Sequence, residues 1–462
     1  MIPTTDYTTA FHRRIKDIFP QSDLSRVHLS KIDAMVRLFL RLLAAPRSVP
    51  MKHEYLRRTI GRALILEFTH LLTDRIRPPA FVSGYDSQGR PIFTRDGPYR
   101  YSAANAQVNP YANALLHAAI EAHADFLADM IAEHGEKFRL IAPSNMRIAE
   151  EFDINLSQAR KVFDDLGGAL QSAQCLAEYN AQHNEVFTIQ DAARRIAQII
   201  TTFHDLNEWQ AGSFLYERAE DSGRFYLKGD ILNFQTMTRT TRKAFFSGLG
   251  YYDVDQESAH PSIMLGILER AGIDTYREYR PLHDVVHEKS RIRRDLEAAH
   301  DLSTDKVKMA IAGIFYGSDL SGFSSLAYDI FGTVQGNPEN EARLSRLRND
   351  PFLRDLMRTR DKATETIIAL QEAQASQPGR VRLAHGAEID FAHYPKRSQI
   401  LARINQSEES VILQRCLDQI GPSMAVLQHD GFTSTADIDH AALGQHVSGQ
   451  VGYAVTYSKD EL

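Results

Sequence analysis

The chain has 462 residues, 43% hydrophobic and 24% charged, which leaves room for two or three domains around a sizeable core. Its net charge of −6 speaks against holding a polyanion by bulk charge, so phosphate contacts fall to local clusters such as Arg239, Arg242 and Lys243, or Arg291, Arg293 and Arg294. The two cysteines, Cys175 and Cys416, are far apart, which excludes a zinc finger and suits a reducing compartment.

No secretory signal opens the chain, and its apolar stretches are interrupted by Arg or His, so no membrane partner is expected. The final Lys459-Asp460-Glu461-Leu462 matches an ER-retention address in letters; without a leader it is coincidence.

In chain order, residues 1–205 read as mainly helical. Apolar residues recur at helical spacing through Ile32, Met35, Leu38 and Leu42, and again through Ile60, Leu64, Phe68 and Leu71. A β-hairpin is predicted over 81–93, where Asp86-Ser87-Gln88-Gly89 separates two apolar arms. Helices resume from about Asn113 to Gly135. Residues 146–163 loosely resemble a helix-turn-helix, with an ordinary helical hairpin favoured over a DNA-reading motif. A helix from Ile189 to about Phe203 leads into the second region, 206–462.

That region carries the chemistry. In Gly250-Tyr251-Tyr252-Asp253-Val254-Asp255 an apolar and aromatic run ends in a carboxylate, and a helical pattern follows it. In Met424-Ala425-Val426-Leu427-Gln428-His429-Asp430-Gly431 an apolar strand reaches a second one, with a Gly turn after it. Two strand-end carboxylates suit a pair of Mg²⁺ ions, with Mn²⁺ as a substitute, bridging the oxygens of a phosphoryl transfer. Asp253 points the same way along its strand and is a helper or an alternative ligand. Between the two, Lys308, Ala312 and Tyr316 recur every fourth residue and share one helix face, placing a cation for triphosphate and a ring for base or sugar. Upstream, Gly223-Arg224 beside Phe225-Tyr226, followed by Asn233 and Gln235, suits a loop gripping a phosphate.

These blocks resemble motifs A, B and C of the single-subunit polymerases, the phage and mitochondrial RNA polymerases and the family A (DNA polymerase I-type) enzymes. Motif A resembles Asp255-Gln256-Glu257-Ser258-Ala259-His260, motif B resembles Lys308 with Tyr316-Gly317, and motif C resembles His429-Asp430. The resemblance covers roughly residues 215–462. It implies an α+β right-hand fold with an antiparallel palm sheet, helical fingers and thumb, and the N-terminal helices as thumb or accessory region. It implies Asp255 and Asp430 as metal ligands, Lys308 on the triphosphate, Tyr316 under the nascent pair and His429 near the primer end. Gln406 would read the minor groove and Arg224 would contact the template or hybrid backbone. The partners would be a nucleic-acid template, taken as DNA, and nucleoside triphosphates, in a bacterial or phage-infected cytoplasm.

The product sugar divides the motifs. Tyr316-Gly317-Ser318 with Gly322-Phe323, and His429-Asp430-Gly431-Phe432, look closer to the RNA polymerases; the compact motif spacing looks closer to the DNA polymerases. Five residues after Asp255, where the DNA enzymes carry Glu and the phage RNA polymerases Gly, this chain has His260. Ala312 replaces the aromatic of the DNA enzymes, and Thr304 stands where both groups have Arg. The reading leans to a DNA-directed RNA polymerase, with a DNA polymerase lacking proofreading, or a primase-polymerase, as alternative. A non-catalytic nucleic-acid-binding regulator is the rival from another class.

Overall fold

The computed structural model describes residues 15, 18, 29–45, 49–51, 53–61, 64, 67–76, 80–85, 91–95, 99–102, 110–183, 187–209, 212–228, 234–318, 320–321, 325–331, 334–394 and 396–462. Helices and sheets are mixed, as expected. In the N-terminal region the helix Leu29–Ala44 packs along Ile189–Asn207, which also meets Pro110–His134. Thr188 caps the Ile189 helix in a reciprocal box with Asp191, which fixes its start. Ala80–Tyr85 and Pro91–Arg95 pair antiparallel, forming the arms of the predicted hairpin. Its turn, like Asn233 and Gly322-Phe323, lies outside the described residues.

The helix-turn-helix over 146–163 is not there. Glu151–Asn155 is a strand paired with Lys137–Ile141, and only one helix follows, Leu156–Ala169. The alternation Phe152 buried, Asp153 half-buried, Ile154 buried has the period of a half-covered strand, and a bend precedes it. Asn155 then caps the helix by accepting from the Gln158 amide.

The second region is built on an antiparallel sheet. We label its elements in chain order: hairpin strands β1 (Tyr216–Arg218) and β2 (Phe225–Leu227), helix α1 (Arg239–Phe246), strand β3 (Tyr252–Gln256) and helix α2 (Ala259–Arg270). Then come α3 (Thr304–Phe315), α4 (Pro351–Glu372), hairpin β4 (Arg380–Arg382) and β5 (Glu388–Asp390), and α5 (Arg397–Ile420). Last come β6 (Met424–Leu427), β7 (Gly431–Ser434), α6 (His440–Val451) and β8 (Tyr457–Glu461). The sheet order is β6-β7-β3-β8, every pairing antiparallel. The Lys-Asp-Glu-Leu tail is therefore bound into the sheet, ending with the Leu462 amide donating to the Tyr251 carbonyl.

Val254 and Phe432, opposite each other on β3 and β7, are fully buried and weld the sheet to its helices. Helix α2 packs against α4 and α5, and α3 against α4. On the other face of β3, Asp253 is 1% exposed. It is tied to Arg242 Nη2 at 3.0 Å, to Gln428 Nε2 at 2.8 Å and to Thr433 Oγ1 at 3.3 Å. Arg242 also donates to the Met237 carbonyl and to Gln428 Oε1. This guanidinium, expected on nucleic acid, is instead the buried counter-ion of Asp253.

Removing one member of such a pair leaves the other charge buried and unpaired. Arg242→Ala should lower unfolding stability by about 3–5 kcal/mol. Chemical denaturation should recover part of that loss in the double variant Arg242→Ala with Asp253→Asn.

Candidate active site

Two local backbone facts bring the carboxylates together. Strand β3 pairs with β7 so that Asp255 lies opposite Gly431, and the Gln256 amide donates to the Asp430 carbonyl at 2.9 Å. Asp430 therefore stands at the mouth of the β6–β7 turn beside the end of β3; Gly431 begins β7 rather than forming the turn after a strand. A Cβ on Gly431 would sit 2.3 Å from the Val254 carbonyl oxygen and 2.7 Å from Asp255 Oδ1. Only glycine permits this approach. After Asp255, Ser258 takes a left-handed backbone (φ 49°), the sharp bend that turns strand into helix α2.

A cleft of about 910 Å³ opens above these strand ends. Its floor includes Gln256, His260, Glu409, His429 and Asp430. A helical wall supplies Arg293, Lys308, Ala312 and Tyr316, so the face expected of α3 from its spacing is the face that meets the cleft. The hairpin β1–β2 supplies Tyr226, and helix α5 supplies Arg403 and Gln406. Lys308 Nζ is 3.3 Å from Asp305, an exposed pair that water screens. Arg293, by contrast, makes no ion pair among the described residues.

The carboxylates around the cleft differ sharply in compensation. Burial pushes the Asp255 carboxyl up to about 6, the charges of Asp253 and Asp430 add to it, and Arg239 and Arg242 offset it only in part. Burial and Glu409 likewise raise Asp430. Glu409 goes the other way: burial pushes it up, but His260 and Arg224 outweigh that and hold it below the usual carboxylate range. Arg224 Nε donates to Glu409 Oε2 at 3.0 Å, and His260 Nε2 lies 2.9 Å from Oε1. Burial and Arg224 press His429 down to about 4, leaving a neutral ring beside Asp430.

Glycine also sets Arg224. At Gly223 (φ +70°) a Cβ would stand 2.6 Å from His385 Nδ1 and 2.7 Å from Ser410 Oγ. The Gly-Arg turn is thus pressed onto the β4–β5 hairpin and α5, which aims the guanidinium at Glu409.

Of the residues singled out from sequence, the cleft lining includes Asp430, His260, Lys308, Tyr316, His429, Arg224 and Gln406, with Asp255 at the adjoining strand end. Arg239, Arg242 and Lys243 do not line it. Arg239 pairs with Asp460 and approaches Asp253, and Lys243 faces solvent on α1. Gln406 accepts from Arg403 at 3.0 Å. Sequence reasoning missed Glu409, Arg403 and Gln256; Glu409 was within reach, because it lies one helical turn beyond Gln406 on α5.

The described residues contain no group of three or more His, Cys, Asp or Glu arranged to hold an ion. Asp255 and Asp430 offer hard, under-compensated oxygens. That donor set fits Mg²⁺, which commonly binds through one or two carboxylates with substrate phosphates and water completing its shell.

Two outcomes follow from this geometry. Gly431→Ala should destabilise the fold by about 1–3 kcal/mol, read by thermal unfolding, because the added methyl meets backbone that cannot yield. Asp255 binds its proton more tightly folded than unfolded, so its contribution to stability is full below about pH 4 and is lost as pH rises through about 6. Unfolding at pH 4–7 should show that loss, on the order of 3 kcal/mol at most, and Asp255→Asn should flatten it.

No protein-family model matches the chain, and no curated protein matches it. Among solved structures it is similar to the POL domain of Pol1 from M. smegmatis, in complex with DNA primer-template and dNTP. That likeness has 14% sequence identity and a TM-score of 0.36, covering 93% of this chain and 81% of the other.

Proposed function

We propose that the chain is a template-directed nucleotidyltransferase that extends a polynucleotide on a DNA template. The observation that carries this reading is the β3–β7 register, which brings Asp255 and Asp430 to one strand end beneath a cleft with cations and exposed tyrosines on its walls. Bound Mg²⁺ or Mn²⁺ would neutralise charge on the attacking and leaving oxygens, with Asp255 and Asp430 as its protein ligands.

The protein's own groups do the positioning. Arg293 and Lys308 lie where a triphosphate needs positive charge, and Arg293 stands in for the Arg that Thr304 lacks. Tyr316, 59% exposed, offers its ring to base or sugar. Arg224 is committed to Glu409, so its effect on the nucleic acid runs through the shape of the floor more than through a free guanidinium.

The RNA-polymerase version rests on the motif resemblance. One observation favours the DNA version. The His260 ring is held between Glu409 and the Tyr316 ring, 4.8 Å away, as a fixed bulk at the position that the resemblance assigns to the sugar.

Extension assays with and without primer, offering NTPs or dNTPs separately, test the reading. The wild type should incorporate nucleotides, and Asp255→Asn or Asp430→Asn should each lower the rate by at least about 10²-fold, the scale of losing one charge-stabilising group. Unchanged incorporation in both variants would refute it, as would a wild type that binds DNA and never extends. His260→Gly should shift the NTP-to-dNTP ratio, and an unchanged ratio would remove His260 from sugar selection. Arg293→Ala should raise the nucleotide KM with a smaller change in the KM for primer.

A further inference from the structure

Among the described cleft-lining residues, two large rings are substantially exposed: Tyr316 at 59% and Tyr226 at 40%. Tyr316 belongs to the helical wall, with Lys308 and Arg293. Tyr226 comes from the β1–β2 hairpin, where strand alternation buries Phe225 and Leu227 and turns the ring between them outward. It meets the ring of His429 edge to face, centroids 5.5 Å apart and planes at 66°, directly beside Asp430. Arg224 lines the same cleft as both rings.

We propose that Tyr226 is the stacking platform for the terminal nucleotide of the strand being extended. This rests on the nucleotidyltransferase reading. In-line displacement sends the pyrophosphate away on the side opposite to the attacking hydroxyl. Arg293, with no ion pair among the described residues, and the weakly paired Lys308 lie on the helical wall, so the triphosphate belongs there. The hydroxyl-bearing strand end then belongs against the hairpin wall, where Tyr226 presents an apolar face. The edge of the His429 ring braces the Tyr226 ring. An aromatic platform accepts any base, as a template-directed enzyme requires.

The test uses the full chain with a primer-template whose primer carries 5-iododeoxyuridine at its 3′ end. Irradiation followed by peptide mapping should place the crosslink on the segment containing Tyr226, and Tyr226→Ala should remove it. In steady-state extension Tyr226→Ala should raise the KM for the primer end by about 5- to 150-fold, the range of losing one aromatic stack, with nucleotide KM little changed. Tyr226→Phe should behave as wild type. A crosslink on the Tyr316 segment, no crosslink with primer-template bound, or an unchanged primer KM in Tyr226→Ala would overturn the platform. If wild-type extension persists in that case, the platform alone falls; if the wild type neither extends nor crosslinks, the nucleotidyltransferase reading falls with it.

Discussion

The hydrogen-bonded register between Tyr252–Gln256 and Gly431–Ser434 is the constraint on which the site depends. It is local backbone geometry, yet it decides the chemistry. A slip by one residue would turn Asp255 to the opposite face and bury it against the helices. Val254 against Phe432 holds the register through the core, and Gly431 opposite Asp255 leaves the carboxylate room that any side chain would fill. The strands also explain why the chain's last residues matter. The strand Tyr457–Glu461 pairs along the other side of Tyr252–Gln256, so the strand bearing Asp255 has a neighbour on each edge and cannot twist free.

Charge is distributed over this scaffold unevenly. Asp253 and Glu409 are almost wholly buried and each is matched, one by Arg242 and the other by Arg224 and His260. Asp255 is half-buried and Asp430 opens to the cleft, neither has a partner of comparable strength, and both carboxyls are raised. Matched charges stiffen a fold; unmatched ones hold an unmet demand for positive charge that a bound cation can satisfy. The fold tolerates that demand because the destabilised pair sits at strand ends open to a cleft, where ions and substrate have access.

Much of this was legible in the sequence, for identifiable reasons. The strand before Asp255, the helix after it and the shared face of Lys308, Ala312 and Tyr316 all follow from short-range periodicity, which tertiary contacts here reinforce. The errors came where long-range partners decide. Residues 146–163 carry a mixed pattern, and pairing with Lys137–Ile141 made their centre a strand. Arg242 looks like a surface cation in a basic run until Asp253 is found beside it. Glu409 reads as one more helical glutamate; only the fold brings Arg224 and His260 to it from distant segments.

The central claim is that Asp255 and Asp430 jointly hold divalent ions when a nucleotide is bound. The most direct measurement is anomalous diffraction from crystals of the protein with primer-template, a non-hydrolysable nucleoside triphosphate and Mn²⁺. The account predicts two manganese peaks about 3.5–4 Å apart, each within coordination distance of carboxylate oxygens from both residues or of one residue and a phosphate. Full nucleotide density in the cleft with no manganese at either carboxylate would contradict it.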